Sequence, residues 1–368
     1  MSKMLSAIFV LYLSPLLSLL VSFINMYRQE DGDIMKNKEN PELIDFLKEL
    51  PPVEFCCIYG STLHPNNHDK SKMVDLILGV SDPQKWHKKN IQLNKDHYAS
   101  WMVYLGGGKL VTEVADEIGV GVHFNPYVTW NKKMLKYGVV RMHDLIQDIQ
   151  HWKTFYLSGR LQKPVNILVD SLDVQQLNSV NLRSAVSAAL LLLPSGFTEV
   201  DLYAKICSLS YMGDLRMLFA EDRDKVNKIV RGQFQLFQSM YQPCLEQYKT
   251  KELLQFSPRE DHQANISQDC GLPATEYLVS SLPTTVRNAM GIRLGEKSGL
   301  SGSGGVTGRN QVLIRSRKEA ADCMQGVLRR KVMVSSARQA VSGVLAVGGV
   351  KAANYLASKM CKAWRSWR

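Results

Sequence analysis

The sequence lacks any Cys-x-x-Cys pair, and its seven cysteines are an odd number, so no disulfide framework is indicated. Cys56 and Cys57 are adjacent in an apolar run, where a strand would turn them to opposite faces as small core residues. We therefore expect a reducing compartment. No internal repeat is evident. With 368 residues, 45% of them apolar and 21% charged, the composition argues against bulk disorder, collagen and a polytopic membrane protein.

Charged residues are absent near the N-terminal end of the sequence, and those near its C-terminal end are almost all basic. No charged residue lies between Lys3 and Arg28, so the apolar stretch 5–27 predicts either a targeting segment or a membrane anchor. No acidic residue follows Asp322. Residues 315–368 hold 12 of the 45 Lys/Arg but only 2 of the 34 Asp/Glu, so the remainder is nearly neutral. This local basicity indicates a charged attachment segment on a neutral body.

The last residues of the chain separate into two faces on a helical wheel, one apolar and one basic. A helix of this kind with terminal tryptophans suits an anionic membrane surface, and it suits a bilayer boundary better than nucleic acid. The alternative is a terminal helix packed on the protein's own body. The membrane-binding residues that we predict are Lys351, Leu356, Lys359, Lys362, Trp364 and Trp367.

The hydropathy pattern divides the chain into five segments. Residues 1–40 are an apolar leader and linker, 41–180 an α/β domain, 181–250 a mostly helical unit, 251–330 an irregular Gly-rich linker region, and 331–368 the basic amphipathic helix. The predicted strands are Val53–Tyr59, Val74–Val80, Gly138–Arg141 and Val165–Val169, and the predicted helices of the third segment are Leu182–Leu193, Thr198–Leu209 and Asp222–Tyr241.

One pair of predicted strands carries chemistry. The first runs into Gly60-Ser61, and the second is interrupted by a single carboxylate, Asp75. An aspartate in a buried strand is unfavourable unless something pairs with it, and Mg²⁺ is a good candidate because it shares oxygen ligands with substrate phosphates. Gly60 permits a close backbone approach, and the Ser61 hydroxyl with backbone N–H groups can hold a triphosphate. The alternative is a turn Gly-Ser with a capping or surface aspartate.

A strand, a Gly-Ser turn and an Asp on the neighbouring strand resemble the DNA-polymerase-β-like nucleotidyltransferases. The pattern of that superfamily has a second acid two residues after the first, where this sequence has Ile77. Because a two-metal mechanism needs more than one carboxylate, either another ligand lies elsewhere or substrate oxygens complete the metal shell.

Longer motifs, spread over residues 41–245 and 335–368, follow one family more closely. They are Tyr59-Gly60-Ser61, Val74–Val80, Asp82-Pro83, Trp86-His87, His97-Tyr98, Lys136–Val139, Ser158–Val165, Leu209–Arg216, Asp224–Val226 and Ser335–Gln339. The sequence is thereby similar to the mitochondrial phosphatidate cytidylyltransferases, also called translocator assembly and maintenance proteins. The similarity does not extend to residues 1–40 or 246–330.

The resemblance implies an α/β (α+β) nucleotidyltransferase domain, a mostly helical, winged-helix-like second domain and a C-terminal amphipathic helix. It implies transfer of CMP from CTP to phosphatidic acid, giving CDP-diacylglycerol and pyrophosphate for cardiolipin and phosphatidylglycerol biosynthesis. Mg²⁺ is the implied cofactor, an anionic membrane surface is the implied partner, and no nucleic acid is expected. The implied location is peripheral, on the matrix side of the mitochondrial inner membrane.

Such a reaction requires charge neutralisation and in-line positioning, because the phosphate of phosphatidic acid is already anionic and needs no activated side chain. Asp75 is the expected metal ligand. The expected catalytic residues are Asp75, Ser61, Lys163 and Arg160, and the expected nucleotide-binding residues are Tyr59, Gly60, Ser61, Lys136, His97 and Tyr98.

The spacing of His87, Asn90, Asn94 and His97 predicts that they share one helix face. That polar stripe lines the nucleotide pocket or is a solvated or hydrogen-bonded surface.

Two other functions stay open at this point. One is a nucleotidyltransferase with an RNA or a small hydroxylated acceptor, which would not need the amphipathic tail. The other is a catalytically weak, membrane-tethered assembly or scaffold protein, and Ile77 is the feature that favours it.

Overall fold

The computed structural model describes residues 41–60, 63, 73–214, 225–257, 265–297 and 311–347. Ser61, the apolar stretch 5–27 and the predicted membrane-binding residues of 351–367 lie outside the described residues. The chain divides into two units, residues 1–47 and 48–368. Helix α1 (Pro41–Lys48) contains the described residues of the first unit, and the elements below belong to the second.

A five-stranded mixed sheet forms the first part of the second unit. Its order is β3-β4-β2-β1-β5, in which β2 and β4 pair in parallel and the other neighbours are antiparallel. The strands are β1 (Phe55–Tyr59), β2 (Val74–Val80), β3 (Val122–Trp130), β4 (Lys133–Arg141) and β5 (Asn166–Asp170).

Four of these strands were predicted, and β2 has its predicted bounds. The sequence did not predict β3, because Pro126 and polar residues interrupt its hydropathy pattern. The structure accommodates the interruption with a change of register between Asn125 and Val128, where Tyr127 has a φ of 61°.

The sheet separates two layers of helices. One face packs on α5 (Met142–His151) and α6 (Ser158–Leu161), and the other on α2 (Pro83–Leu93), with α3 (Ser100–Leu105) and α4 (Gly107–Glu113) beside it. Cys56 and Cys57 are buried and free, and alternation along β1 turns them to opposite faces, as predicted. The mixed α/β class of the prediction is therefore confirmed.

The second part is mostly helical. The predicted helices at 182–193 and 198–209 are confirmed, although the first begins earlier because Asp173 caps it. The third predicted helix is two helices that meet at Gln233. The helices are α7 (Val174–Leu192), α8 (Glu199–Leu209), α9 (Lys225–Gly232), α10 (Phe234–Thr250), α11 (Leu272–Ser280) and α12 (Thr284–Leu294). An antiparallel sheet is formed by three short strands, in the order β6 (Gly196–Thr198), β8 (Asn265–Gln268) and β7 (Leu254–Ser257).

The expectation that residues 251–330 are irregular is wrong for much of that segment. It contains β7, β8, α11, α12, a short strand pair β9 (Glu296–Lys297) and β10 (Gln311–Val312), and the start of α13 (Arg317–Val347). The short helices α11 and α12 give a weak periodic signal, but their apolar residues complete the core of the helical part. Helix α13 also runs across the predicted boundary at 330/331, and Ser335 and Gln339 on it are buried.

No helix among the described ranges is long and apolar enough to cross a membrane.

Candidate active site

The Asp75 carboxylate lies directly beside the backbone of Gly60. In the antiparallel register, Asp75 near the start of β2 is opposite Tyr59 at the end of β1. Gly60 follows with a φ of +94°, which glycine adopts without strain. A Cβ at Gly60 would lie 3.3 Å from Asp75 Oδ2. A side chain at residue 60 would therefore crowd the carboxylate, and glycine leaves that space open. The approach of a substrate phosphate to the Gly60 backbone stays a prediction.

Lys136 forms an ion pair with Asp75. The parallel register of β2 and β4 makes the two residues direct partners, and Lys136 Nζ lies 3.3 Å from Asp75 Oδ1. The Lys136 ammonium also lies 4.5 Å from the centroid of the Phe124 ring. Both charged side chains are more than a quarter exposed, so the pair adds little to stability and stays accessible to an anionic ligand.

Arg160 stacks on two tyrosines at the same face of the sheet. Its guanidinium carbon lies 3.8 Å from the ring centroid of Tyr156 and 5.6 Å from that of Tyr59, and it donates a hydrogen bond to the Tyr156 carbonyl. Burial raises the pKa of Tyr59 to about 12, against the opposing effect of Lys136, so its phenol is neutral near pH 7. Tyr59 thus connects the Asp75–Lys136 pair with Arg160.

Lys163 contacts the helical part. Its Nζ donates hydrogen bonds to the Gly159 carbonyl at 2.6 Å and to Ser210 Oγ, just after α8, at 2.7 Å. It also lies 5.0 Å from the ring centroid of Tyr211. A Cβ at Gly159 would come within 2.6 Å of Ser210 Cβ, so this close approach requires glycine. The segment 158–163 therefore presents Arg160 to the sheet and Lys163 to the helical part.

Asp148, which the sequence analysis did not single out, holds the segment that leads to Arg160. It is buried in α5, and its carboxylate accepts six hydrogen bonds at 2.7–3.1 Å. No sequence pattern marks it, because an acid in an amphipathic helix usually lies at the surface. The donors are the backbone N–H groups of Thr154, Phe155, Leu157 and Ser158 and the hydroxyls of Thr154 and Ser158.

The structure does not bring His97 and Tyr98 to Asp75. Asn90 Nδ2 donates to the hydroxyls of Tyr98 and Tyr137 at 2.8 Å, and His97 Nδ1 lies 2.7 Å from the Tyr137 hydroxyl. Tyr137 follows Lys136 in β4, so alternation puts its side chain on the opposite face of the sheet. These polar residues form a hydrogen-bonded network at α2, in which Asn90, Tyr98 and Tyr137 are buried and His97 is half-buried.

The expectation of a single polar helix face is wrong for Asn94 and His97. Helix α2 ends at Leu93, Asn94 leaves it with a φ of −136°, and His97 belongs to a separate 3₁₀ turn. His87 and Asn90 do share a face of α2, but both are buried. Of the two interpretations of this stripe, the hydrogen-bonded face is the one that the geometry supports.

His123, in the same network, makes stability depend on pH. Its Nε2 lies 3.0 Å from Asn125 Oδ1, and its buried Nδ1 has no hydrogen-bond partner among the described residues. Burial lowers the pKa of His123 to about 4, so between pH 6.5 and 4 the unfolded chain binds a proton that the folded chain does not. Stability then falls with falling pH by about 1.4 kcal/mol per pH unit from this residue.

We expect His123→Gln to remove that part of the pH dependence, measured by urea denaturation from pH 7 to 4.5. His143→Gln, at an exposed histidine, is the control and should retain the wild-type slope. An unchanged slope in His123→Gln would contradict the assignment.

The donor set around Asp75 fits a cation that shares its ligands with phosphate. Ile77, at the position of the second acid in the superfamily pattern, is buried in the core and supplies no ligand. Within the described ranges, no group of three or more His, Cys, Asp or Glu could hold a metal ion. A single accessible carboxylate beside a glycine backbone suits Mg²⁺, which binds through one or two carboxylates together with substrate phosphates.

Comparisons with known proteins agree on one family. The sequence model of the family described as "Phosphatidate cytidylyltransferase, mitochondrial" matches residues 43–362. The expectation that residues 246–330 lie outside the similarity is therefore wrong. A Danio rerio protein of that name is 33% identical over 316 residues, which cover 84% of this chain and 89% of the relative. A Schizosaccharomyces pombe protein of the same name is 30% identical over 355 residues, 93% of this chain and 87% of the relative. A Mus musculus protein of that name is 30% identical over 321 residues, 84% and 90% of the two chains.

Proposed function

Because the chain belongs to the family of mitochondrial phosphatidate cytidylyltransferases, we propose that it transfers CMP from CTP to phosphatidic acid at the site around Asp75. It is an enzyme of phospholipid biosynthesis, and CTP and phosphatidic acid are its substrates. The observation that carries the assignment of the site is the ion pair of Asp75 with Lys136, next to the space that Gly60 leaves open because it has no side chain.

The reaction exchanges one phosphoanhydride bond for another. A phosphate oxygen of phosphatidic acid forms a bond to the α-phosphorus of CTP, and the bond from that phosphorus to the oxygen of the β-phosphate breaks. CDP-diacylglycerol and pyrophosphate are the products. The attacking oxygen is anionic at neutral pH, so the protein does not have to remove a proton. Its task is to bring two anions together and to hold them in line.

The cations of the site are suited to that task. Lys136, beside Asp75, would neutralise phosphate charge, and Arg160 is held on Tyr59 and Tyr156 with its charge at the same face. Asp75 would hold Mg²⁺, with Gly60 and Ser61 as phosphate-binding backbone and hydroxyl. When bound, Mg²⁺ supplies charge neutralisation to the phosphates. Lys163 contacts Ser210 in the helical part, so it would approach the lipid phosphate from that side.

We also propose that the helical part is a winged-helix-like second domain. The order α7, β6, α8, α9/α10, β7, β8, in which β6 pairs with β8, supports a winged-helix-like second domain. The buried pairing of Asn90 with Tyr98 and Tyr137 favours a structural role for the region of His97 and Tyr98 over the predicted contact with the nucleotide.

The location is proposed from the sequence and the relatives together. The relatives are named mitochondrial, and the basic residues and tryptophans of 348–368 favour an amphipathic helix on an anionic membrane. We propose a peripheral enzyme on the matrix side of the inner membrane. Of the domain boundaries predicted from the sequence, α7 spans the one at 180/181 and α13 the one at 330/331, so we place the end of the first domain before α7 and include 265–297 in the helical part.

The test follows the label of CTP into lipid. The full chain is incubated with phosphatidic-acid vesicles and CTP labelled at either the α- or the γ-phosphate. We expect the α-label in the lipid extract and the γ-label in pyrophosphate. The double variant Trp364→Ser/Trp367→Ser should lose about tenfold or more of the activity on vesicles, because it loses apolar contact with the bilayer.

The same variant should retain activity on phosphatidic acid dispersed in detergent, which serves as its control. Transfer of the α-label to added RNA or to a soluble hydroxyl compound, with none in lipid, would replace the proposed acceptor. No transfer to any acceptor, with normal vesicle binding, would favour the scaffold protein.

A further inference from the structure

A basic cleft lies apart from the candidate active site, between α12 and α13. Its volume is about 410 Å³, and the segment 153–154 and Val120 complete its wall. None of the residues assigned to the Asp75 site lines it. Five lining residues are Lys or Arg, and none is Asp or Glu: the cations are Lys153, Arg293, Arg330, Lys331 and Arg338.

Two of these cations are fixed by neutral partners. Arg338 donates hydrogen bonds to the carbonyls of residues 116–118, and Lys331 donates to the Lys153 carbonyl. Arg293 and Arg330 are exposed, and neither forms an ion pair with a carboxylate among the described residues. Lys153 pairs with Asp144 at 3.7 Å, whereas no ion pair with a carboxylate is formed by the other four cations among the described residues. These four like charges repel each other, and an anion with several oxygens that enters the cleft relieves that repulsion.

The rim of the cleft is apolar and exposed. Ile292 is 86% exposed, and Val334 is 47% exposed on the face of α13 that also carries Arg330 and Arg338. Val341 lies on the same face about two helical turns after Val334 and is 54% exposed. Apolar side chains that stand beside unpaired cations are typical of a surface that meets a membrane interface.

The sequence that follows α13 indicates that the anion bound in this cleft belongs to a membrane lipid. Helix α13 is described as far as Val347, and the sequence continues for residues 348–368 with five Lys/Arg, two tryptophans and no acid. The cleft is therefore built on the helix that leads into the predicted membrane-binding segment. A soluble phosphate would need the cations but not the exposed Ile292 and Val334.

We propose that this cleft binds the phosphate headgroup of an anionic phospholipid in the membrane, at a site separate from the one that binds CTP and substrate. Arg293 and Arg330 would hold the phosphate oxygens, and Ile292 and Val334 would contact the glycerol and upper acyl region. Phosphatidylglycerol is the probe, because it is not the substrate. All binding is measured without CTP, so that failure of the proposed reaction leaves this inference unaffected.

The test measures binding of soluble dihexanoyl-phosphatidylglycerol and of inorganic phosphate to the full chain by calorimetry. Flotation with vesicles of phosphatidylcholine, alone or mixed with phosphatidylglycerol, is the second measurement. Arg293→Gln/Arg330→Gln should weaken binding of the short-chain lipid by about 30-fold, because the variant loses two cations that would each attract the lipid phosphate. The matched control Lys88→Gln/Lys89→Gln removes the same charge from the exposed side of α2 and should change binding by less than about twofold.

Because the replaced side chains are exposed, we expect each variant to fold. Thermal unfolding of each variant checks this. Selective loss of lipid binding in the cleft variant supports the proposal. Unchanged binding in that variant, an equal loss in the control, or binding of inorganic phosphate as tight as that of the lipid would each overturn it.

Discussion

Asp75→Asn is expected to lower the rate of CMP transfer about a thousandfold or more. Asparagine retains the shape of the side chain but removes the charge that would hold Mg²⁺ against the phosphates of CTP. The Asp75–Lys136 pair is partly exposed, so its loss should change the free energy of unfolding by less than about 1 kcal/mol. A variant that folds normally but transfers no label is therefore the expected result.

Asp116→Asn is the matched control. Asp116 is also a partly exposed carboxylate that pairs with a cation, Arg141, at 3.3 Å, and it lies outside the candidate site. We expect near-normal transfer from this variant. Titration of Mg²⁺ adds a second measurement, in which Asp75→Asn should require more metal for any residual activity. Activity within tenfold of wild type would show that Asp75 is not the metal ligand.

Asp148→Ala is expected to cause a large loss of stability. The change removes the acceptor of six hydrogen bonds and leaves buried N–H groups without partners. We expect a loss of about 4 kcal/mol or more in the free energy of unfolding, measured by urea denaturation. Asp201→Ala, which removes one half of the exposed capping box that Asp201 forms with the N-cap Thr198 of α8, is the comparison and should cost about 1 kcal/mol.

Asp148→Asn tests whether the residue also positions Arg160. Its amide retains one acceptor oxygen but turns a second acceptor into a donor, so the variant should fold with reduced stability. At a temperature where it is fully folded, we expect kcat to fall severalfold or more, because Arg160 depends on the segment 152–158. A normal kcat and KM in the folded variant would restrict Asp148 to a structural role.

The parts of the molecule that were predicted are those with a local signal. The apolar run of β2, interrupted by one carboxylate, predicted the strand with its correct bounds, and the glycine after β1 marked the position where the backbone takes a positive φ. The pairing of Asp75 with Lys136 depends on a parallel register between strands about sixty residues apart, which no local pattern contains.

The incorrect predictions have physical causes of the same kind. The spacing of His87, Asn90, Asn94 and His97 fits one helix, but the helix ends at Leu93. The Asn94 side chain still reaches Asn90 through a local hydrogen bond, whereas His97 is held by a tertiary contact with Tyr137. Asp148 carries no signal because its six donors lie in a loop rather than in a repeated pattern. The helices of 272–294 are short, and the core that stabilises them comes from distant segments.

The position of α13 has a consequence for the order in which the chain can fold. Trp101 donates a hydrogen bond to the Leu345 carbonyl, and Gln339 donates one to the Val122 carbonyl of the edge strand β3. Each contact joins residues more than two hundred positions apart. A chain that emerges from its N-terminus therefore leaves this edge of the sheet uncovered until almost all of it is available. Contacts of such long range slow folding and extend the time during which an unfinished edge can associate with other chains.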